Sequence, residues 1–214
     1  MRYTITGTAG FIGFHLALKF LQEGKEVVGL DSFVPYYPVV LKEARHEVLK
    51  KFPNFIEQKI DLCDWPALEA CFKRYPSDRI CHLAAQPGVR YSLVNPFIYQ
   101  KSNLEGFIHL LEVARQHDIR KFVYASSSSV YGAVKEVPFQ ESQSVDTPIS
   151  LYAATKRSNE LIAYTYTHIY KMQTVGLRFF TVYGPWGRPD MAIWKFTDAD
   201  RKSTRLNSSH VSQS

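Results

Sequence analysis

The chain has 214 residues, enough for one domain with a substantial core, and its 26 Lys and Arg against 20 Asp and Glu give a formal net charge of +6. Arg201, Lys202 and Arg205 supply three of those charges, and the rest of the chain shows no basic stripe, which argues against a nucleic-acid surface. No apolar run is long enough to cross a membrane, and the opening residues do not read as a secretory signal; Cys63, Cys71 and Cys81 lack metal-ligand or disulfide spacing and are expected as buried thiols in a reducing compartment, the cytoplasm, with no metal.

"RYTIT" (2–6) is β-branched and aromatic and reads as a short buried strand. "GTAGFIG" follows, with glycines at 7, 10 and 13, and then an apolar helix carrying Phe11, Ile12, Leu16, Phe20 and Leu21 that Gly24 can end. "VVGLDS" is a second strand, finishing at Asp31. A glycine turn between strand and helix lets a ligand approach the backbone closely, and the helix N-terminus offers free N–H groups to a pyrophosphate. An acid at the end of the second strand can take both hydroxyls of an adenosine ribose and would repel a 2′-phosphate, so NAD is favoured over NADP. The spacing is G-x-x-G-x-x-G; alone it serves helix packing equally well, and the surrounding strand, helix and acid favour the nucleotide.

Strands and helices keep alternating. "NFIEQKI" (54–60) reads as a strand ending at Asp61, followed by a helix over 65–74. "RICHLAA" (79–85) is the fourth strand, and one long helix is expected over 96–117. "KFVYASS" (121–127), a helix over 151–170 and "QTVGLRFF" (173–180) complete the pattern. Repeated βα units predict a doubly wound parallel sheet, Rossmann-like, with ligands outside the carboxyl ends of its strands.

Those ends carry the chemistry. The fifth strand runs into Ser126, Ser127, Ser128 and Ser129, and the next helix places Tyr152 and Lys156 one turn apart on one face. A tyrosine is a weak base at neutral pH; a neighbouring ammonium, together with the positive nicotinamide ring, favours the phenolate and is expected to lower its pKa. A strand-end serine can hold the same substrate hydroxyl, completing a proton-transfer device beside a hydride acceptor. His82 ends a buried strand and reads as a packed histidine. "PYYP" (35–38) reads as a loop near the adenosine.

With these residues in place the chain resembles an extended short-chain dehydrogenase/reductase of the NAD-dependent epimerase/dehydratase family, from Met1 to about Ala199. The pattern is matched by Gly7, Gly10 and Gly13, Asp31, Asp61–Leu62, "HLAAQ" (82–86), Asn103, Ser127, and Tyr152 with Lys156. "HLAAQPGVRYSLVNP", "YASSSSVYG", "SLYAATKRSNE" and "LRFFTVYGPWGRPDMA" are similar to the UDP-glucuronate 4-epimerases. The resemblance implies a tightly held NAD within a shell of Gly7, Gly10, Phe11, Ile12, Gly13, Asp31, Asp61, Leu62, Leu83, Ala84, Ala85, Ser126, Tyr152 and Lys156. It implies Tyr152 as the base at the sugar 4-hydroxyl, Lys156 on the nicotinamide ribose and Ser127 as the orienting hydroxyl. Ser127, Ser128, Ser129 and Thr181 would hold the substrate carboxylate. Related decarboxylases carry a glutamate at the position of Ser129, dehydratases an Asp-Glu pair at 128–129, and galactose-type epimerases an asparagine at 181; none of these is present here. Arg90 and Arg188 could meet the carboxylate or the diphosphate, or be surface arginines.

The resemblance also implies a homodimer through the helices at 96–117 and 151–170, with simple packing as the alternative. "RKSTRLNSSHVSQS" (201–214) is polar and aperiodic and reads as a disordered, non-native tail; residues 1–200 then form the NAD-binding unit, and the substrate domain that the family carries next is largely missing. The alternatives are another nucleotide-sugar enzyme of the same superfamily and a catalytically idle NAD-binding module.

Overall fold

The structure, a computed structural model, describes residues 1–201. Six strands, β1 (Arg2–Thr6), β2 (Glu26–Asp31), β3 (Phe55–Lys59), β4 (Arg79–His82), β5 (Lys121–Ser127) and β6 (Gln173–Phe179), form one parallel sheet in the order β3-β2-β1-β4-β5-β6. The chain builds outward from β1 to β3, then returns to lay β4 on the other side of β1. Thr4 therefore pairs with Val28 on one flank and Ile80 on the other. This reversal opens a crevice at the carboxyl ends of β1 and β4.

Helices cover both faces. On one, α1 (Phe11–Gln22) and α2 (Val39–Leu49) pack a core of Ile5, Phe14, Ala17, Leu21, Val27 and Leu49. On the other, α3 (Trp65–Arg74), α6 (Gly106–Gln116) and α7 (Leu151–Tyr170) pack Leu68, Phe72, Ile80, Phe107, Leu110, Leu111 and Phe122. Asp64 caps α3 by accepting from the Ala67 N–H at 3.1 Å, and Ser150 caps α7 by accepting from Ala153 at 3.1 Å. Each such cap contributes about 1 kcal/mol. Gly10 at the start of α1 has no side chain to cap with, so the first N–H groups of that helix point into the crevice without a side-chain acceptor.

Several elements differ from expectation. The helix expected over 96–117 is instead α5 (Pro96–Tyr99), a π-helical stretch over Gln100–Glu105, and α6. The wider turn lets Asn103 bind in two directions: Oδ1 accepts from the Gln86 N–H at 2.7 Å, and Nδ2 donates to Gln86 O and to Thr155 Oγ1, both at 3.2 Å. β4 stops at His82, not residue 85: the Leu83 N–H is shared between Thr6 O and Thr6 Oγ1, both at 3.2 Å, and the Ala84 N–H goes to Thr6 Oγ1 at 3.1 Å. Helix α2, the short α4 (Tyr91–Val94), a 3₁₀ turn at Ser128–Tyr131 and α8 (Ala192–Arg201) have no counterpart in the sequence reading. Only Cys71 is fully buried; Cys63 and Cys81 are half-buried, all three are free, and burial pushes their thiols up to about 12, 11 and 11 for Cys63, Cys71 and Cys81. The proposed tail, apart from Arg201, lies outside the described residues. Among the described residues β3 and β6 are the edge strands, and Val175 and Leu177 on β6 are exposed.

Candidate active site

One cleft of about 460 Å³ lies at the carboxyl ends of the strands. Its floor at one end is the glycine turn. Gly7 is left-handed (φ +79°), and a Cβ there would stand 2.7 Å from the Ala84 nitrogen; a Cβ on Gly13 would collide with the carbonyl oxygen of Gly7. Side chains at these positions would push β1, α1 and the β4 exit apart, so the turn is a bare-backbone cradle of pyrophosphate size.

Asp31 ends β2 beside that cradle. Its Oδ2 accepts from the Ala9 N–H at 3.0 Å and its Oδ1 from Phe33 at 2.8 Å. Each carboxylate oxygen keeps a lone pair for a second donor. Behind the turn, Thr8 Oγ1 meets His46 Nε2 at 3.0 Å, and Glu57 Oε1 lies 2.8 Å from His46 Nδ1. Burial holds the His46 imidazole below its usual pKa despite Glu57, which keeps it neutral at pH 7.

The other end of the cleft holds the expected proton-transfer group. Tyr152 and Ser127 both face the cleft, and Ser127 Oγ accepts from the Ser129 N–H at 3.2 Å. Burial pushes the Tyr152 hydroxyl above its ordinary value; nearby Ser127 and the Arg188 charge pull the other way without overcoming it. The expected depression of Tyr152 by Lys156 is therefore corrected. Lys156 is buried, its Nζ donates to the carbonyl of Ala125 at 2.8 Å, and desolvation lowers its pKa to about 8. Thr155 Oγ1 donates to Tyr152 O at 2.8 Å, so the Asn103 link fixes the first turn of α7 against the β4 exit.

Ser126 also lines the cleft, and its hydroxyl donates to Glu160 Oε1 at 2.6 Å. Glu160 also receives Arg178 Nε at 2.9 Å and Nη2 at 3.0 Å, and Arg157 Nη1 at 3.1 Å. This buried charged knot ties α7 to the ends of β5 and β6. His82 is a packed histidine: Nδ1 lies 2.8 Å from Thr6 Oγ1, and desolvation, with Lys156 adding, drops its pKa to about 3.

Gly10, Phe11, Ile12, Asp61, Leu62, Leu83, Ala84, Ala85, Ser128, Ser129, Thr181 and Arg188 all line the same cleft. Arg188 pairs with Asp190, Nε to Oδ1 at 3.1 Å and Nη2 to Oδ2 at 2.5 Å. Arg90 is corrected: it is exposed, at the start of α4, and does not line the cleft. The sequence reading missed Lys42, Tyr36, Tyr37, Gln86 and Asp190 in the wall. "PYYP" marked the place of the two tyrosines, but nothing in the pattern marked Lys42, whose Nζ donates to Val34 O at 2.7 Å. Among the described residues no cluster of His, Cys, Asp and Glu is placed to hold a metal, and no helix is long and apolar enough to cross a membrane.

Comparison with known proteins agrees with this geometry. Residues 3–202 match the NAD dependent epimerase/dehydratase family. An uncharacterized protein of Methanocaldococcus jannaschii is 55% identical over 195 residues, 90% of this chain and 60% of its own length. A probable UDP-glucuronate 4-epimerase of Rhizobium meliloti is 52% identical over 199 residues, 93% of this chain and 58% of its own. The crystal structure of UDP-glucuronic acid 4-epimerase from Bacillus cereus with UDP-glucuronic acid and NAD superimposes with a TM-score of 0.89 at 35% identity, covering 96% of this chain and 65% of that one. The chain spans about three fifths of the length of the curated relatives it matches. A glycine cradle, a strand-end acid and a Ser–Tyr–Lys group in one cleft, read with these matches, make the chain a member of the NAD dependent epimerase/dehydratase family.

Proposed function

We propose that this chain is the NAD-binding part, residues 1–200, of a UDP-glucuronate 4-epimerase, which interconverts UDP-glucuronate and UDP-galacturonate. The observation that carries the reading is the meeting of Ser127, Tyr152 and Lys156 in the same cleft as the glycine cradle. The residues present fit NAD. The cradle is bare at Gly7, Gly10 and Gly13, the first turn of α1 has no side-chain cap there, and Asp31 stands beside it with lone pairs to spare. The loop bearing Tyr36 and Tyr37 forms part of the wall, and Phe11, Ile12, Asp61, Leu62, Leu83, Ala84 and Ala85 close the shell.

Bound NAD supplies reversible removal of the hydride at the sugar C4, leaving a transient 4-keto sugar and no net redox change. Tyr152 takes the proton of the 4-hydroxyl and returns it after the sugar has turned over. Ser127 shares that proton and holds the hydroxyl in line. Lys156, buried one helical turn from Tyr152, would hold the nicotinamide ribose. A 4-keto uronate is a β-keto acid and loses carbon dioxide readily. Hydroxyls of Ser127, Ser128, Ser129 and Thr181, with Arg188, hold its carboxylate where that cleavage is misaligned with the ketone. The reaction belongs to the cytoplasm. Exposed Ile108, Leu161 and Tyr164 on α6 and α7 support pairing of these helices with a second copy.

Two measurements test this. Calorimetry of the 214-residue chain with NAD is expected to give saturable binding. In the chain extended by the part that its relatives carry, Tyr152→Phe is expected to lose on the order of 10² or more in turnover with NAD still bound. No heat with NAD, or normal turnover without the phenol, overturns the reading.

A further inference from the structure

The buried face of α2 is polar. Lys42, Arg45 and His46, at helical positions i, i+3 and i+4, are each buried, and Arg45 has no exposed surface at all. Among the described residues its guanidinium makes no hydrogen bond to a carboxylate. Nη1 donates to the carbonyl of Ala9 and to Tyr37 Oη, both at 2.7 Å, and Nη2 donates to the carbonyl of Trp186 at 2.6 Å. Its three acceptors belong to three segments: the glycine turn, the aromatic loop and the turn at 184–188. A buried guanidinium held by neutral oxygens is costly to keep, and its planar fork suits joining separate backbones.

The turn at 184–188 is docked on the same side. Trp186 sits in the left-handed region at φ 63°, where a bulky residue stays only if its surroundings hold it. Its ring packs 5.5 Å from Phe14, and the Pro185 carbonyl lies 2.9 Å from His15 Nε2. Two residues on, Arg188 enters the cleft, 5.6 Å over the ring of Tyr36. The arginine on the substrate side is thus placed by the cofactor side.

We propose that Arg45 is the positioning residue for Arg188, tying the glycine turn to the turn at 184–188, so that a pyrophosphate in the cradle stiffens the backbone that aims Arg188. The inference rests on the cofactor reading above. It assigns Arg45 no contact with substrate or cofactor.

Hydrogen exchange on the 214-residue chain, with and without NAD, tests it. In the wild type, saturating NAD is expected to slow exchange at the amides of Trp186, Gly187 and Arg188 by about tenfold. Arg45→Lys keeps the charge but cannot span two carbonyls; it should bind NAD while the protection gain falls below about twofold. Tyr37→Phe keeps the guanidinium and removes one acceptor, and should give an intermediate gain. A role in stability alone would lower the melting temperature in these variants without changing the response to NAD. Wild-type protection in Arg45→Lys or in Tyr37→Phe overturns the assignment while the cofactor reading stands. Absence of NAD heat in the wild type overturns both.

Discussion

The Nζ of Lys156 lies 2.8 Å from the carbonyl oxygen of Ala125, so a buried ammonium joins α7 to the end of β5 beneath the cleft. That hydrogen bond compensates only part of the desolvation, and the lysine pKa drops to about 8. The unfolded chain keeps an ordinary lysine near 10.5, so between pH 8 and 10.5 it binds more protons than the folded one. The contribution to stability is fully present above pH 10.5 and is lost as pH falls to about 8. It amounts to about 3 kcal/mol. Denaturant melts should show wild type gaining on Lys156→Met as pH rises through that window, with the variant no less stable at pH 7; parallel curves would mean the ammonium is not desolvated.

Asp31 serves the turn and the ribose together. Asp31→Ala removes an acceptor for Ala9 and Phe33 as well as for the ligand, and NAD affinity should fall about tenfold to a hundredfold. Asp31→Asn retains an acceptor but not the charge, so it should lose less for NAD and gain relative affinity for NADP. Paired titrations with the two dinucleotides read both effects.

Glu160 offers an acid-side test. Its burial opposes ionisation, but hydrogen bonds from Arg178, Ser126 and Arg157 overcome that and hold the carboxyl below its usual value. The stability this adds is present above the unfolded value near 4.5 and lost as pH falls through the folded one. Glu160→Gln should destabilise by about 3 kcal/mol at pH 7, since two arginines lose their carboxylate. The gap to wild type should close on acidification; thermal melts at pH 3 to 7 would follow it.

Carboxylate restraint is read from products. In the chain extended by the part its relatives carry, Ser128→Ala with Thr181→Ala should raise the share of decarboxylated pentose on the order of tenfold. Chromatography of the UDP-sugars with measured carbon dioxide is the check, and an unchanged share would remove these hydroxyls from the role.

The parallel sheet and the cleft were readable in the sequence because each βα unit ends a hydrophobic run with a residue of distinct chemistry: Gly7, Asp31, Ser127. Helix α2 was not, because periodicity searches for an apolar stripe and this helix buries Lys42, Arg45 and His46. The π-helical stretch was hidden for a related reason: Asn103 widens the turn through contacts to Gln86 and Thr155, 17 and 52 residues away. Ser126 and Ser127 look alike as letters. Only the pleat separates them, sending one hydroxyl to Glu160 and the other to the cleft.

The sheet order also gives the cleft a place in time. Strands β1 to β3 come from residues 2–59 and β4 to β6 from residues 79–179, so each half of the sheet is local in sequence. Within the sheet, the ladder between β1 and β4 joins them, with Thr6 and His82 touching across 76 residues of chain. Closing so long a loop is slow compared with forming either half. The cleft straddles that joint, with Gly7 to Gly13 on one bank and Ala84 and Ser127 on the other. It comes into being only when the halves meet, and a molecule lodged across it works as a clasp, opposing the one opening that would separate them while each stayed folded.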